Sequence, residues 1–146
     1  MGGMKAVVQR VKEARLSVDG KLISQIGEGL VVYFGVAKGD TEANADWFAK
    51  KITAMRIFED DNGKFNFSAL DNKFEILAVS QFTLLADCSH GNRPDFFDAE
   101  EPARANALYE YFVKKLKDNG IAVQKGVFGA HMVIEQTNDG PVTIML

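Results

Sequence analysis

The sequence predicts an α+β fold, in which a mostly antiparallel, barrel-like β-sheet and two main helices form a single domain. Many short apolar runs of strand length are separated by turns that contain glycine, and two longer stretches repeat their apolar residues at helical spacing. The length of 146 residues is that of one domain, and no repeat or linker divides it. We expect the domain to span residues 4–146 and interpret residues 1–3 as a leftover cloning sequence before Met4.

The first strands are predicted in the N-terminal quarter of the chain. Residues 4–11 alternate in polarity and are rich in β-branched side chains. An Asp19-Gly20 turn joins two short strand-like runs within residues 16–23, which predicts a hairpin. Residues 29–36 are almost all apolar, so we expect them to form a central strand that is buried on both faces.

Two amphipathic helices are predicted to cover this sheet. Asp40 or Thr41 is a suitable N-cap for a helix that extends to about Ile57, because apolar residues recur at helical spacing along it. A second helix is predicted from about residue 100 to residue 118, and Gly120 is placed to end it.

The remaining segments have strand character. An Asn62-Gly63 turn separates two short strands, and residues 74–82 are predicted to form another long strand. Three further short strands are expected around residues 122–123, 132–136 and 142–145.

Composition excludes several classes of function. The net charge of −3 argues against a protein that wraps long stretches of nucleic acid, since such binding requires many Lys and Arg contacts to phosphates, although a small local contact remains compatible. The single cysteine, Cys88, cannot form an internal disulfide, which agrees with a reducing compartment. No apolar run approaches the roughly 18 residues of a membrane span. We therefore expect a soluble, cytoplasmic protein with no membrane partner.

Polar side chains are concentrated where a buried strand is predicted to end, in Ser80-Gln81-Phe82-Thr83-Leu84. The hydroxyls of Ser80 and Thr83, the amide of Gln81 and nearby backbone N–H groups could form a site that stabilises an oxyanion. The alternative is structural, because the same side chains could satisfy backbone groups at a strand end.

A hydroxyl nucleophile ordinarily needs a base, and the chain has only two histidines, His90 and His131. Neither has an evident partner for a catalytic triad, and two distant histidines with one cysteine make a weak metal site. We expect neither a metal nor a cofactor.

The C-terminal segment places Gly140-Pro141 between a turn and a terminal apolar run. Proline fixes its own φ and glycine adopts angles that other residues avoid, so the pair can hold carbonyl groups in unusual directions. Without other information, an ordinary trans turn that enters a final strand is the simpler interpretation.

Two separated motifs, residues 80–84 and residues 138–143, together resemble those of D-aminoacyl-tRNA deacylases, the D-tyrosyl-tRNA deacylase family. The resemblance extends over almost the whole chain in the same order. The other matching segments are Met4-Lys5-Ala6-Val7-Val8-Gln9-Arg10-Val11, Arg56-Ile57-Phe58, Gly63-Lys64-Phe65-Asn66, Arg93-Pro94-Asp95-Phe96 and Phe128-Gly129-Ala130-His131-Met132.

The resemblance implies an enzyme that hydrolyses the ester between a D-amino acid and the terminal ribose of tRNA, which is chiral proofreading. It also implies a homodimer with active sites at the subunit interface, where a Gly-cisPro motif, here Gly140-Pro141, enters the partner's site and rejects L side chains. Glycine has no side chain to reject, so glycyl-tRNA should also be a substrate.

The resemblance implies roles for further residues. Ser80, Gln81, Phe82 and Thr83 would form the catalytic segment, in which either Thr83 attacks the ester or the 2′-hydroxyl of tRNA and a water act while backbone N–H groups hold the carbonyl. We favour the second route, since Thr83 lacks an evident base.

Other residues are implied to bind the substrate. Met132, Gly129 and Ala130 would line the pocket for the terminal adenosine, although Met132 could equally be a core residue. Arg93 would contact phosphates of the acceptor stem.

Two other functions remain open from the sequence. The chain could be a dimeric module that binds tRNA without turnover, or an editing enzyme that removes a small L-amino acid. The presence of both motifs argues against the first, and Gly140-Pro141 argues against the second.

Overall fold

The structure is a computed structural model that describes residues 3–146, so Met1 and Gly2 of the presumed cloning sequence lie outside the described residues. In chain order, the strands and helices are β1 (Lys5–Val18), β2 (Lys21–Ile26), β3 (Gly29–Gly35), α1 (Glu42–Ala54), β4 (Phe58–Glu59), β5 (Phe65–Phe67), β6 (Glu75–Ser80), a 3₁₀ helix (Phe82–Leu85), α2 (Pro102–Asp118), β7 (Ala122–Lys125) and β8 (Val133–Met145).

Strand β1 organises the main sheet because it is long enough to pair with three other strands. Its first half pairs with β3 and its last part with β2, while β8 pairs antiparallel along most of its length. The order continues from β3 to β6 and β7. The Ser24 hydroxyl of β2 donates to the carbonyl of Lys125 in β7, which brings the far ends of the sheet together. The expected α+β fold, with a barrel-like sheet and two main helices, is therefore confirmed.

The expectation of a mostly antiparallel sheet needs correction, because the sheet is mixed. Strand β6 runs parallel to both β3 and β7. Parallel neighbours require a crossover connection, and here α1 lies between β3 and β6 in the chain while α2 lies between β6 and β7. The two helices were predicted, but the parallel pairing that they permit was not.

The helices cover one face of the sheet, where the larger core lies. Thr41 is the N-cap of α1, as predicted, and Gly120 with φ +95° follows the end of α2. The rings of Phe34 in β3 and Phe112 in α2 stack with centroids 4.1 Å apart. Strand β3 is buried almost throughout, which confirms that it is central.

The opposite face of the sheet carries a second, smaller core inside the barrel. Its fully buried members come from β1, β2, β3 and β6, and Met132 and Ile134 pack against them from the segment that leads into β8 and from β8 itself.

Several predicted boundaries differ from the structure. The strand predicted at residues 4–11 and the first strand of the hairpin predicted within residues 16–23 are one strand, β1. Helix α1 ends at Ala54 rather than near Ile57. The strand predicted over residues 74–82 ends at Ser80, because the chain then turns into the 3₁₀ helix. The separate strands predicted at residues 132–136 and 142–145 are one strand, β8, which continues through Gly140-Pro141 by means of an irregular register.

Candidate functional site

The polar segment predicted as a site follows the central parallel strand β6. We call residues 80–85 the strand-end segment. A backbone hydrogen bond ties this segment to β3, because the Gln81 N–H donates to the carbonyl of Phe34 at 2.9 Å. A Cβ at Gly35 would lie 2.7 Å from Leu85 Cδ2 and 3.0 Å from the Gln81 carbonyl, so the segment rests directly on the glycine that ends β3.

The Thr83 hydroxyl is held by its neighbour. Gln81 Nε2 donates to Thr83 Oγ1 at 2.8 Å. Among residues 3–146, no imidazole or carboxylate forms a hydrogen bond with this hydroxyl. His90 instead lies 3.8 Å from Asp87, and His131 is exposed. The geometry therefore gives Thr83 an orienting partner and no base within the described chain.

Two backbone N–H groups at the start of the 3₁₀ helix point to no protein acceptor. Within the described part of the chain, the amides of Phe82 and Thr83 donate to no group, whereas the amide of Leu84 donates to the Gln81 carbonyl at 3.3 Å. Phe82 is 56% exposed and Thr83 is also exposed. Adjacent free N–H groups at the first turn of a helix can stabilise a negatively charged oxygen.

The second predicted motif lies at the edge of the sheet, where the pairing of β8 with β1 is irregular. From Asn138 to Thr143 the pairing advances five residues on β8 but only from Val11 to Gln9 on β1. The intervening residues 139–142, which we call the bulge segment, contain the Gly140-Pro141 bond, and this bond is cis. This geometry agrees with the Gly-cisPro motif that the family resemblance implies. Gly140 has φ +126°, a conformation that L side chains rarely adopt.

A buried arginine anchors the bulge segment. Arg10, only 5% exposed, donates from Nε to the Asp139 carbonyl at 3.1 Å and from Nη1 to the Ile57 carbonyl at 2.8 Å. It also forms ion pairs of 3.3 Å with the carboxylates of Asp139 and Glu59, and Lys12 approaches Asp139 at 3.8 Å from outside. No role for Arg10 was predicted from the sequence. A signal for it was present, because Arg10 is a charged residue on the face of β1 that the apolar Ala6 and Val8 share.

A chain of amide and hydroxyl groups crosses the base of the bulge segment. The Tyr33 hydroxyl donates to Gln136 Oε1 at 2.7 Å, and Gln136 Nε2 donates to Gln9 at 2.9 Å and to Asn138 at 2.6 Å. Gln9 Nε2 then donates to the Thr143 hydroxyl at 3.3 Å. Burial raises the pKa of Tyr33, so its hydroxyl keeps its proton and remains a donor.

The residues expected to bind substrate lie in different surroundings. Met132 is half-buried and packs on the barrel core, where a Cβ at Gly126 would lie 2.7 Å from its sulfur. Gly129 is exposed with φ +77°, and Ala130 is half-buried. Arg93 is exposed, and no ion pair among residues 3–146 involves it. The packing of Met132 agrees with its structural interpretation, while a role in binding stays a prediction.

The strand-end segment and the bulge segment are not joined within one chain. Among the described residues, no hydrogen bond or ion pair connects residues 80–85 with residues 139–142. The same part of the chain has no group of three or more His, Cys, Asp or Glu side chains that could hold a metal ion. None of its helices is both long enough and apolar enough to cross a membrane.

Comparison with known sequences finds consistent relatives. The family model described as D-Tyr-tRNA(Tyr) deacylase matches residues 7–146. A protein of Geotalea daltonii named D-aminoacyl-tRNA deacylase is 54% identical, and the match covers 98% of this chain and 95% of that protein. A protein of Aquifex aeolicus with the same name is also 54% identical, over 98% of this chain and 97% of that protein.

Two solved structures share the fold. A c-Myc DNA Unwinding Element Binding Protein superposes with a TM-score of 0.91 at 42% identity and covers 97% of each chain. A probable eukaryotic D-amino acid tRNA deacylase superposes with a TM-score of 0.84 at 17% identity over 98% of each chain, which supports the fold alone.

Proposed function

Since this chain belongs to the D-Tyr-tRNA(Tyr) deacylase family, it is a hydrolase of the aminoacyl-tRNA ester bond, a D-aminoacyl-tRNA deacylase, and we propose how its residues perform and restrict that reaction. The observation that carries the proposal is the pair of exposed amides at Phe82 and Thr83, which have no acceptor within the described chain. They are the groups that the ester carbonyl oxygen would meet.

In the proposed reaction, a water attacks the carbonyl carbon of the ester. Negative charge develops on the carbonyl oxygen, where the amides of Phe82 and Thr83 stabilise it. The bond from this carbon to the ribose oxygen then breaks, and the adjacent 2′-hydroxyl of the ribose relays the proton of the water to the departing oxygen. The products are free tRNA and the amino acid. The missing base at Thr83 supports this route, because the substrate itself supplies the proton relay.

Replacing Thr83 tests the alternative in which its hydroxyl attacks the ester. In the proposed route, Thr83→Ala loses only the positioning contact with Gln81 and retains turnover within about tenfold of the wild type. A nucleophilic Thr83 would instead give near-complete loss in a protein that folds normally. The measurement is single-turnover hydrolysis of D-tyrosyl-tRNA, with circular dichroism and thermal unfolding as checks of folding.

The substrate offers the matching test. A D-tyrosyl-tRNA whose terminal ribose lacks the 2′-hydroxyl should react at least about 100-fold more slowly, since the relay contributes about as much as a general acid or base. An unchanged rate on the deoxy substrate would remove the 2′-hydroxyl from the mechanism. The wild-type protein is used in both arms, so folding does not affect the result.

The bulge segment is proposed to make the enzyme selective for D-aminoacyl substrates over L-aminoacyl substrates. In this proposal the carbonyl oxygens of Gly140 and Pro141 enter the site of a partner subunit and occupy the space that an L side chain needs. A D side chain points elsewhere and is accepted. Exclusion of this kind does not require recognition of each side chain, so many D-aminoacyl-tRNAs and glycyl-tRNA should all be substrates.

The assignment to a partner subunit has two supports in the fold. The strand-end and bulge segments share no hydrogen bond or ion pair within the described chain, and β8 pairs with β1 alone, so its other edge is open. Along this strand, Val133 is 57% exposed and Met145 is 79% exposed. A homodimer would cover these side chains. Sedimentation equilibrium at micromolar concentration measures the state directly, and a monomer that retains full chiral selectivity would contradict the shared site.

One assay tests the function as a whole. D-tyrosyl-, L-tyrosyl-, glycyl- and L-alanyl-tRNA are compared at equal concentration. The expected result is rapid release from the D-tyrosyl and glycyl substrates, with both L substrates spared. Equal cleavage of the two tyrosyl substrates would refute chiral rejection but leave the esterase activity. Selective cleavage of L-alanyl-tRNA would indicate an editing enzyme for L-amino acids, and binding without release would indicate a nucleic-acid-binding module.

A further inference from the structure

We propose that an exposed aromatic surface beside the strand-end segment stacks the unpaired cytidines that precede the terminal adenosine of tRNA. We call this surface the aromatic platform, and it consists of Phe82, Phe96 and Phe97 with Lys38 and Lys5. The inference rests on the proposed function, because it takes the ester to lie at the amides of Phe82 and Thr83. It adds a second point of contact, which would hold the single strand next to the reacting nucleotide.

Two of the three aromatic side chains of the platform, Phe82 and Phe97, are open to solvent. Phe97 is 78% exposed, and the ring of Phe82 packs edge-on against that of Phe96 with centroids 5.0 Å apart. Phe96 is half-buried against Phe82, and the exposed Phe97 follows it in the chain. Aromatic rings at the surface are the usual platforms for unpaired bases, and stacking tolerates any base.

Lys38 lies beside the Phe97 ring, and Lys5 lines the same cleft as Lys38. Lys38 Nζ lies 4.3 Å from the centroid of the Phe97 ring, and the Lys38 N–H donates to the Asp98 carbonyl at 2.9 Å, which ties the two loops together. Among the ion pairs of residues 3–146, none includes Lys5 or Lys38. Both ammonium groups are therefore available to the phosphates that link stacked nucleotides.

The lysines open onto a cleft of about 430 Å³ that reaches the end of the strand-end segment. Leu85 and Ala86 line it on one side, and Asp87 and Asp98 line it as well. Continuity with Leu85 places the cleft next to the 3₁₀ helix that Phe82 begins. A nucleotide strand that leaves the ester site in this direction would meet the rings and the lysines in succession.

The acidic residues of the cleft restrict what it can bind. Hydrogen bonds from the hydroxyl and N–H of Ser89 lower the pKa of Asp87, so Asp87 is ionised at neutral pH. Asp87 and Asp98 offset the two lysines and repel a duplex with its dense rows of phosphates. Carboxylates do accept hydrogen bonds from the amino group of cytosine. The charges therefore favour a short single strand of cytidines.

The test separates contact with the strand from hydrolysis of the ester. Wild-type protein and Phe97→Ala are assayed on D-tyrosyl-tRNA and on D-tyrosyl-adenosine, which carries the same ester on the terminal nucleoside alone. The ratio of kcat/KM on tRNA to that on the nucleoside should fall roughly 5- to 100-fold, as expected for loss of one stacked base. The matched control is Trp47→Ala, which removes an exposed ring that also lies against a lysine, Lys51 at 5.4 Å, on helix α1. This control should leave the ratio unchanged.

A substrate variant and a second protein variant complete the test. On tRNA with abasic residues in place of the cytidines, the kcat/KM of wild-type protein should fall by a similar factor. The kcat/KM of Phe97→Ala should fall little further on that substrate. Lys38→Met should lower the salt dependence of tRNA binding by about 0.7 in the slope for each phosphate contact that is lost.

Each contrary result has a defined meaning. An unchanged ratio in Phe97→Ala, or full wild-type activity on the abasic substrate, would overturn the platform. So would a shift of Phe97→Ala to monomers in sedimentation, because Phe97 would then belong to a contact between subunits. Failure of wild-type protein to hydrolyse either substrate would instead overturn the proposed function, so the two failures are distinguishable.

Discussion

The strand-end segment and the bulge segment are supported in different ways. Residues 80–85 form the end of the central strand β6 and the turn after it, and they pack against Gly35 of β3. Packing of the core therefore determines their position. Residues 139–142 leave an edge strand that, among residues 3–146, pairs with β1 alone, and polar side chains hold them, above all Arg10. The proposed reacting groups therefore depend on close packing of the core. The proposed chiral filter depends instead on the polar contacts of a buried arginine.

The largest effect is expected where one side chain carries most of the support. Arg10→Met should lower the free energy of unfolding by about 2–4 kcal/mol, because the buried carbonyl of Ile57 and the part-buried carbonyl of Asp139 both lose their donor. The carboxylate of Glu59 is half exposed, so water can replace its contact with Arg10. Urea denaturation measures the loss. The ratio of D-tyrosyl- to L-tyrosyl-tRNA hydrolysis should fall as well, since the bulge segment loses its anchor.

The matched control for Arg10 is another cation that meets the same carboxylate. Lys12 approaches Asp139 at 3.8 Å from an exposed position, so Lys12→Met should cost less than about 1 kcal/mol and preserve chiral selectivity. Equal effects of the two variants would show that burial of Arg10 does not determine the support of the bulge segment.

A smaller effect is expected from crowding the strand-end segment. Gly35→Ala adds a methyl group 2.7 Å from Leu85 Cδ2 and 3.0 Å from the Gln81 carbonyl, and overpacking of this size costs about 1–3 kcal/mol. The segment must shift, so kcat on D-tyrosyl-tRNA should fall more than tenfold while the ratio of D to L hydrolysis is retained.

Gly27→Ala is the control for Gly35→Ala, because it makes the same substitution at a position with free space. A Cβ at Gly27 meets nothing within 4 Å, so Gly27→Ala should leave kcat and stability nearly unchanged. If Gly35→Ala lowered chiral selectivity rather than kcat, the two segments would not have the separate roles that the comparison assigns to them.

The same contrast explains what could be predicted from the sequence. The apolar run of β3 and the spacing of the two helices have periodicities that determine their structure locally, and both predictions were correct. The parallel pairing of β6 was missed, because strand direction depends on crossovers that periodicity does not reveal.

At the candidate site, the sequence predicted the polar strand end and the cis Gly140-Pro141 bond, the latter through family resemblance. It did not predict that β8 continues through this bond as one strand, since glycine and proline normally interrupt strands and only a long partner such as β1 bridges the gap. Arg10 was missed as an anchor because its acceptors, on β8 and near β4, are distant in sequence.

The smallest predicted effect concerns a polar link between a core strand and β8. Tyr33 belongs to the core strand β3, and its hydroxyl donates to Gln136 of β8. Tyr33→Phe removes one hydrogen bond and should cost about 0.5–1.5 kcal/mol in urea unfolding. If the link helps to set the bulge segment, the ratio of D to L hydrolysis should also fall about two- to fivefold.

Tyr111→Phe is the control that distinguishes a link from a simple loss of stability. Its hydroxyl donates to Asp46 at 2.7 Å, and this contact raises the pKa of Tyr111 to about 12, but it joins the two helices to each other and not to β8. Tyr111→Phe should lower the free energy of unfolding by the same amount as Tyr33→Phe or less, with no change in chiral selectivity. Should both tyrosine variants keep the wild-type ratio, the Tyr33 hydroxyl would have no part in positioning the bulge segment, and Arg10 would remain as its main anchor.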